Sequence, residues 1–156
     1  MKVRRFGVVL LIVATAVVAL GCASDNTTPP PADASEQQAG PYAARTDDGV
    51  DVVYFETSKP CDCMAEVGDA VELAIDNNFS DELQSGELRF FLVVSDDPQN
   101  GSMLKDFDAQ PFDLMIVSYD GGRGTIQPVY EIWNLMGDNE AIEEYVRAAV
   151  ETSLRG

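Results

Sequence analysis

Two cysteines one residue apart, Cys61 and Cys63, with Asp62 between them and Met64 after them, are the densest reactive chemistry in the chain. One further cysteine, Cys22, is present, and there is no histidine. The missing imidazole excludes Ser-His and Cys-His catalysis, zinc sites of the Cys/His type and histidine-bound copper. Two kinds of chemistry remain for the pair. One is thiol–disulfide exchange; the other is chelation of a soft ion, with Cys61, Cys63 and Met64 offering the thiolate and thioether sulfurs that select Cu(I).

The spacing bears on the first of these. In a fully extended chain, α-carbons two residues apart lie roughly 6.6 to 7.2 Å from each other, at or beyond the limit for a disulfide. A Cys61–Cys63 bridge therefore requires a turn and carries strain, which makes it easy to reduce. So small a closed loop also adds little stability through chain entropy, so the pair reads as a labile oxidant or isomerase rather than a permanent brace. Cys61, nearer the start of the following helix, is expected to attack, and Cys63 to resolve. A helix N-terminus and Lys59 favour the thiolate, while Asp62 opposes it.

The elements that position the pair read as alternating strands and helices. Val50 to Phe55 (VDVVYF) is β-branched and aromatic, as in a buried strand. Met64, Val67, Val71 and Ala74 then recur at helical spacing, with Asp62, Glu66, Asp69, Glu72 and Asp76 on the opposite, solvated face. Leu88 to Val94 (LRFFLVV) is an unbroken apolar run, typical of a strand covered on both sides. Ser95-Asp96-Asp97-Pro98 starts a short helix that offers Met103, Leu104 and Phe107. Phe112 to Tyr119 follows as a strand opened by Pro111. Gly121-Gly122-Arg123-Gly124 then supplies a hairpin turn, and Thr125 to Tyr130 an edge strand that tolerates Pro128. A last helix, capped by Asp138, buries Ile142, Tyr145, Val146, Ala149 and Val150. Trp133, the only tryptophan, is assigned to the core. The order is β-α-β-α-β-β-α, with the first two strands parallel and the last two a hairpin.

Residues 1–21 lie outside this domain. Lys2, Arg4 and Arg5 precede an apolar run from Phe6 to Leu20, which marks an export signal. Ala19-Leu20-Gly21-Cys22 resembles the lipobox of prokaryotic lipoproteins, which implies cleavage before Cys22 and lipidation of its thiol. The expectation is a protein anchored to the cell membrane on its extracytoplasmic side, where disulfide chemistry is favoured. Residues 22–49 are rich in Pro, Ser, Thr, Ala and acids with no apolar period. They read as a disordered tether with a reach of roughly 30 Å. Loss of residues 1–21 leaves seven basic residues against 27 acidic ones, a net charge of about −20, which repels nucleic acid and keeps an exported domain soluble.

Over residues 50–156 the element order, the cysteines between first strand and first helix, Ser95-Asp96-Asp97-Pro98-Gln99-Asn100 after the second strand, and Pro111 opening the third together resemble the thioredoxin fold. Within that superfamily the chain is most similar to small thioredoxin-like proteins described as subunits of a nitrophenyl-compound nitroreductase. The resemblance implies an α/β three-layer sandwich on a mixed four-stranded sheet in order 2-1-3-4. It implies redox cysteines at the first helix N-terminus, and Pro111 as a cis-proline facing them behind Gln110. It also implies an accessory role beside a reductase, although the chain has no nucleotide or flavin motif and no cofactor is expected. The chain departs from the pattern in having Cys-x-Cys where thioredoxins have Cys-x-x-Cys, and Lys59 and Pro60 where they have tryptophan. The protein partner is left open.

A weaker pattern places Asp76, Asn78, Ser80, Glu82 and Glu87 at the spacing of a calcium loop, but Asp81 stands where glycine is required, and helix and strand are expected there.

Overall fold

A computed structural model describes residues 42–156. The segment read as an export signal, Cys22 and the expected tether up to residue 41 lie outside them.

The strands are β1 (Gly49–Glu56), β2 (Leu88–Val94), β3 (Leu114–Asp120) and β4 (Arg123–Pro128), and they form one mixed sheet in the order β2-β1-β3-β4. β1 runs parallel to β2, and β3 pairs antiparallel with both β1 and β4. Four helices accompany them, α1 (Asp62–Asn78), α2 (Ser80–Ser85), α3 (Gly101–Phe107) and α4 (Asn139–Arg155); apart from the short α2, the expected β-α-β-α-β-β-α order holds, and so does the sheet order. This is an α/β fold of thioredoxin-like topology.

β1 sits at the centre because both of its faces are apolar. Val50, Val52 and Tyr54 pack with Val67, Val71, Ala74 and Ile75 of α1 and with Ile142, Val146 and Val150 of α4. Val53 and Phe55, offset by one residue, pack on the other side with Phe91, Val93 and Met115, against Met103, Leu104 and Phe107 of α3. The period-two alternation of a strand thus feeds two cores at once. Gly68 lets α1 lie close to the sheet: a methyl there would come within 3.1 Å of the Tyr54 ring.

Four boundaries differ from the sequence expectation, each for a local reason. α2 is an added turn of helix: Phe79 leaves helical backbone to bury its ring (3 % exposed), and the chain re-enters a helix that ends at Gly86 with φ of 79°. β3 begins at Leu114 rather than Phe112, because Phe112 has a φ of 72° and donates its N–H to the Phe55 carbonyl outside the regular ladder. β4 stops at Pro128, since Val129 turns inward and bonds Leu114 O at 2.9 Å; Tyr130–Leu135 is a 3₁₀ segment, and it carries Trp133 onto the core edge-on to Phe112. The hairpin turn at Gly121-Gly122 has positive φ at both positions, as a two-residue loop of this hand requires.

The fourth difference is the largest. A tether is expected up to residue 49, yet the chain is packed on the domain from Tyr42 onward. Arg45 is buried and donates to Gly86 O (2.6 Å) and Glu87 O (2.9 Å). Asp51, fully buried in β1, accepts both Nε (2.8 Å) and Nη2 (2.6 Å) of Arg89 and the Tyr42 hydroxyl (3.1 Å). Tyr42 also bonds the Tyr119 hydroxyl and stacks edge-on to Phe91 and Phe107. A charge placed inside the sheet needs such partners, and the segment before β1 supplies two of them. Among the described residues no helix is long and apolar enough to cross a membrane.

Candidate functional site

The cysteine loop leaves the C-terminal end of β1 and is held from two sides. Glu56 O accepts the Ser95 N–H at 2.6 Å, which extends the β1–β2 register past the strand ends. Asp96 then takes both the N–H (2.8 Å) and the hydroxyl (2.7 Å) of Ser58. Those bonds pull the Asp96 carboxyl below its usual range, with Lys59 adding to the effect through its charge.

Cys61 is the N-cap of α1, with extended backbone (φ −72°, ψ 161°), and its carbonyl accepts the N–H groups of Met64 (2.9 Å) and Ala65 (3.0 Å). Cys63 lies in the first turn. This change from extended to helical backbone across Asp62 is the turn that the spacing demands. It brings the two Sγ atoms to 3.0 Å, at the exposed surface and as free thiols. A disulfide bond is about 2.05 Å long, so closure asks for a further approach of roughly 1 Å.

The two thiols are not equivalent. The hydrogen bond from Cys63 is the main cause that lowers the Cys61 thiol below the ordinary value, and a backbone hydrogen bond with Met64 adds to it. The same contact raises the Cys63 thiol, with burial and the charge of Cys61 adding to it. A shared proton thus leaves the N-cap sulfur as the better nucleophile. Met64 is half-buried next to the pair. Among the described residues no group of three or more His, Cys, Asp or Glu is placed to hold a metal ion.

Pro111 is brought to the same end of the sheet. It is exposed in the turn Gln110–Asp113, which is closed by Gln110 N–H on Asp113 Oδ2 (2.8 Å) and pinned to β1 by Phe55 N–H on Asp113 O (2.9 Å). Cys22 lies outside the described residues. The calcium-type spacing falls on helix: Asp76 and Asn78 end α1, Ser80 and Glu82 lie on α2, and Asn78 bonds Ala74 O at 2.8 Å.

Sequence reasoning passes over Glu56 and Tyr54, which stand beneath α1. Burial, then the charges of Asp69 and Glu72, push the Glu56 carboxyl up. Tyr54 is fully buried, its hydroxyl has no partner among the described residues, and burial followed by the charge of Glu56 pushes it up as well. The available signal was positional: Tyr54 and Glu56 are two apart on one strand face, and that face must meet α1.

Compared with known proteins, the chain matches no family model and no curated relative.

Proposed function

We propose that this is a membrane-anchored lipoprotein, held through lipid on Cys22 on the extracytoplasmic side, whose thioredoxin-like domain performs thiol–disulfide exchange through Cys61 and Cys63. The observation that carries the reading is the pair of exposed sulfurs 3.0 Å apart at the start of α1. Their opposite thiol shifts support Cys61 as the attacking sulfur and Cys63 as the resolving one. Pro111 at the same sheet end supports a surface on which a partner segment lies across the thiols.

In the forward direction the Cys61 thiolate attacks a partner disulfide. A bond forms from Cys61 Sγ to one partner sulfur, and the other leaves as thiolate and takes a proton from water. Cys63 then loses its proton and attacks Cys61 Sγ, which closes the Cys61–Cys63 bond and releases the partner as a dithiol. Two electrons pass from the pair to the partner; oxidation of a partner dithiol is the same sequence reversed.

The test is the reduction potential of the pair, read by mass spectrometry as the loss of two hydrogens across thiol buffers of known poise. A labile pair is expected near the values of oxidoreductases, about −120 to −270 mV; a potential below about −300 mV, the range of structural disulfides, overturns the reading. The same sulfurs, with Met64, are the donors of the Cu(I) alternative. Cu(I) that stays bound when both cysteines are replaced by serine eliminates that alternative.

A further inference from the structure

The charges around the two thiols are predominantly negative. Asp62 stands between them and Glu66 follows Cys63 by three positions and Asp62 by four, so both carboxylates share the exposed first turns of α1 with the sulfurs. Across the loop, the exposed Asp96 is fastened to Ser58, three residues before Cys61, at 2.7 and 2.8 Å. Asp97 lies beside it, exposed, with its carboxylate on the Gln99 N–H at 2.9 Å. The cation of this loop is Lys59, close enough to Asp96 for its charge to act on that carboxyl; it stands against four acids, Asp62, Glu66, Asp96 and Asp97. Behind the rim stands a chain of net charge −17.

The thiols are exposed, so a reacting sulfur must approach through this field. At physiological ionic strength charges act over about 8 Å, which spans a loop of this size. We propose that the pair exchanges selectively with thiols and disulfides flanked by cationic groups, that is, with lysine- or arginine-rich segments of its partner, and discriminates against anionic ones. The proposal rests on the thiol-exchange reading and adds the charge of the substrate to it. The exchange step is unchanged; what the acids alter is the encounter that precedes it, and the mixed disulfide in which both partners' charges lie side by side.

The test uses the reduced full chain and three small linear disulfides: cystamine, positive at both ends; hydroxyethyl disulfide, neutral; and dithiodiglycolate, negative at both ends. Oxidation is followed by mass spectrometry, and each rate is divided by that of mercaptoethanol with the same probe to remove differences in leaving group. The expected result is a normalised cystamine-to-dithiodiglycolate ratio of about ten or more at low salt, falling toward one at about 1 M salt, where the screening length is near 3 Å. Replacing both Asp62→Asn and Glu66→Gln lowers that ratio about threefold. A ratio near one at low salt, with all three probes reacting, overturns the charge selection and leaves the exchange reading standing. Failure of all three probes to oxidise the pair overturns the exchange reading, and the selection with it.

Discussion

Replacing Asp51 by alanine should cost about 3 kcal/mol of folding stability. Asp51 is fully buried and accepts Arg89 twice, at 2.8 and 2.6 Å, and the Tyr42 hydroxyl at 3.1 Å, with Arg45 Nη1 3.8 Å away. Removing one member of a buried ionic network costs about 3–5 kcal/mol, because the charges left behind stay desolvated. The low end applies here. Arg89 has 23 % of its side chain exposed and keeps Ala43 O at 3.0 Å, while Arg45 keeps the carbonyls of Gly86 and Glu87 and Tyr42 keeps Tyr119. Set against a domain stability of about 5–15 kcal/mol, such a loss moves the thermal midpoint down by roughly 10–20 °C. Urea unfolding followed by Trp133 fluorescence measures it. Asp51→Asn, which keeps the volume and one acceptor oxygen, should lose less, about 2 kcal/mol. In a cycle with Arg89→Met, the Asp51–Arg89 coupling should be about 1–2 kcal/mol. A loss below about 1 kcal/mol for Asp51→Ala, at unchanged denaturant slope, would refute the claim that this network fastens the chain from Tyr42 onward to the sheet.

Gly49→Ala should be far more costly than Gly86→Ala: both have positive φ, 145° and 79°, but a methyl at Gly49 falls 2.2 Å from Arg45 Nη1 whereas Gly86 has open space. Unfolding should show about 1 kcal/mol for Gly86→Ala and at least twice that for Gly49→Ala, and equal losses would contradict the packing of Arg45. Alkylation rates against pH should show Cys61 ionising at lower pH than Cys63, and Cys63→Ala should move the Cys61 profile upward, since the Cys63 hydrogen bond is its first cause; coincident profiles would remove the basis for naming Cys61 the attacking thiol. Glu56, raised by burial and by Asp69 and Glu72, holds its proton more tightly folded than unfolded. Its contribution is thus fully present below the unfolded value of about 4.3 and is lost as pH rises through the folded one. Glu56→Gln should therefore stabilise the protein at neutral pH and lose that advantage near pH 4, as paired denaturation curves would show; a stability gain that persists at pH 4 would argue against this origin.

How much of this was legible depended on whether the determining contact was local. The strands were readable because β1 and β2 are apolar on both faces, and the capping role of Asp138 because it concerns neighbours in sequence: its carboxylate accepts the Ala141 N–H at 3.1 Å. The position of Cys61 and Cys63 at a strand-to-helix turn was readable for the same reason. What escaped was set by distant partners. Phe79 breaks a helix to fill a core, and Phe112 takes a positive φ to reach Phe55. Residues 42–48, polar enough to pass for tether, are held by groups far along the chain, Arg45 by Gly86 and Glu87 at separations of 41 and 42, and Tyr42 by Tyr119 at a separation of 77. One trace of this was present in the strands themselves. Asp51 and Arg89 are the charged residues of VDVVYF and LRFFLVV, and they stand directly opposite in the parallel register. An acid and a base at matching places in two buried strands are costly apart, so each implies the other. That pair fixes β1 against β2 near the start of β1, with residues 52–56 of the strand still to run before the loop that carries the thiols. The buried ion pair thus sits at one end of the sheet, and the exposed sulfurs sit at the other.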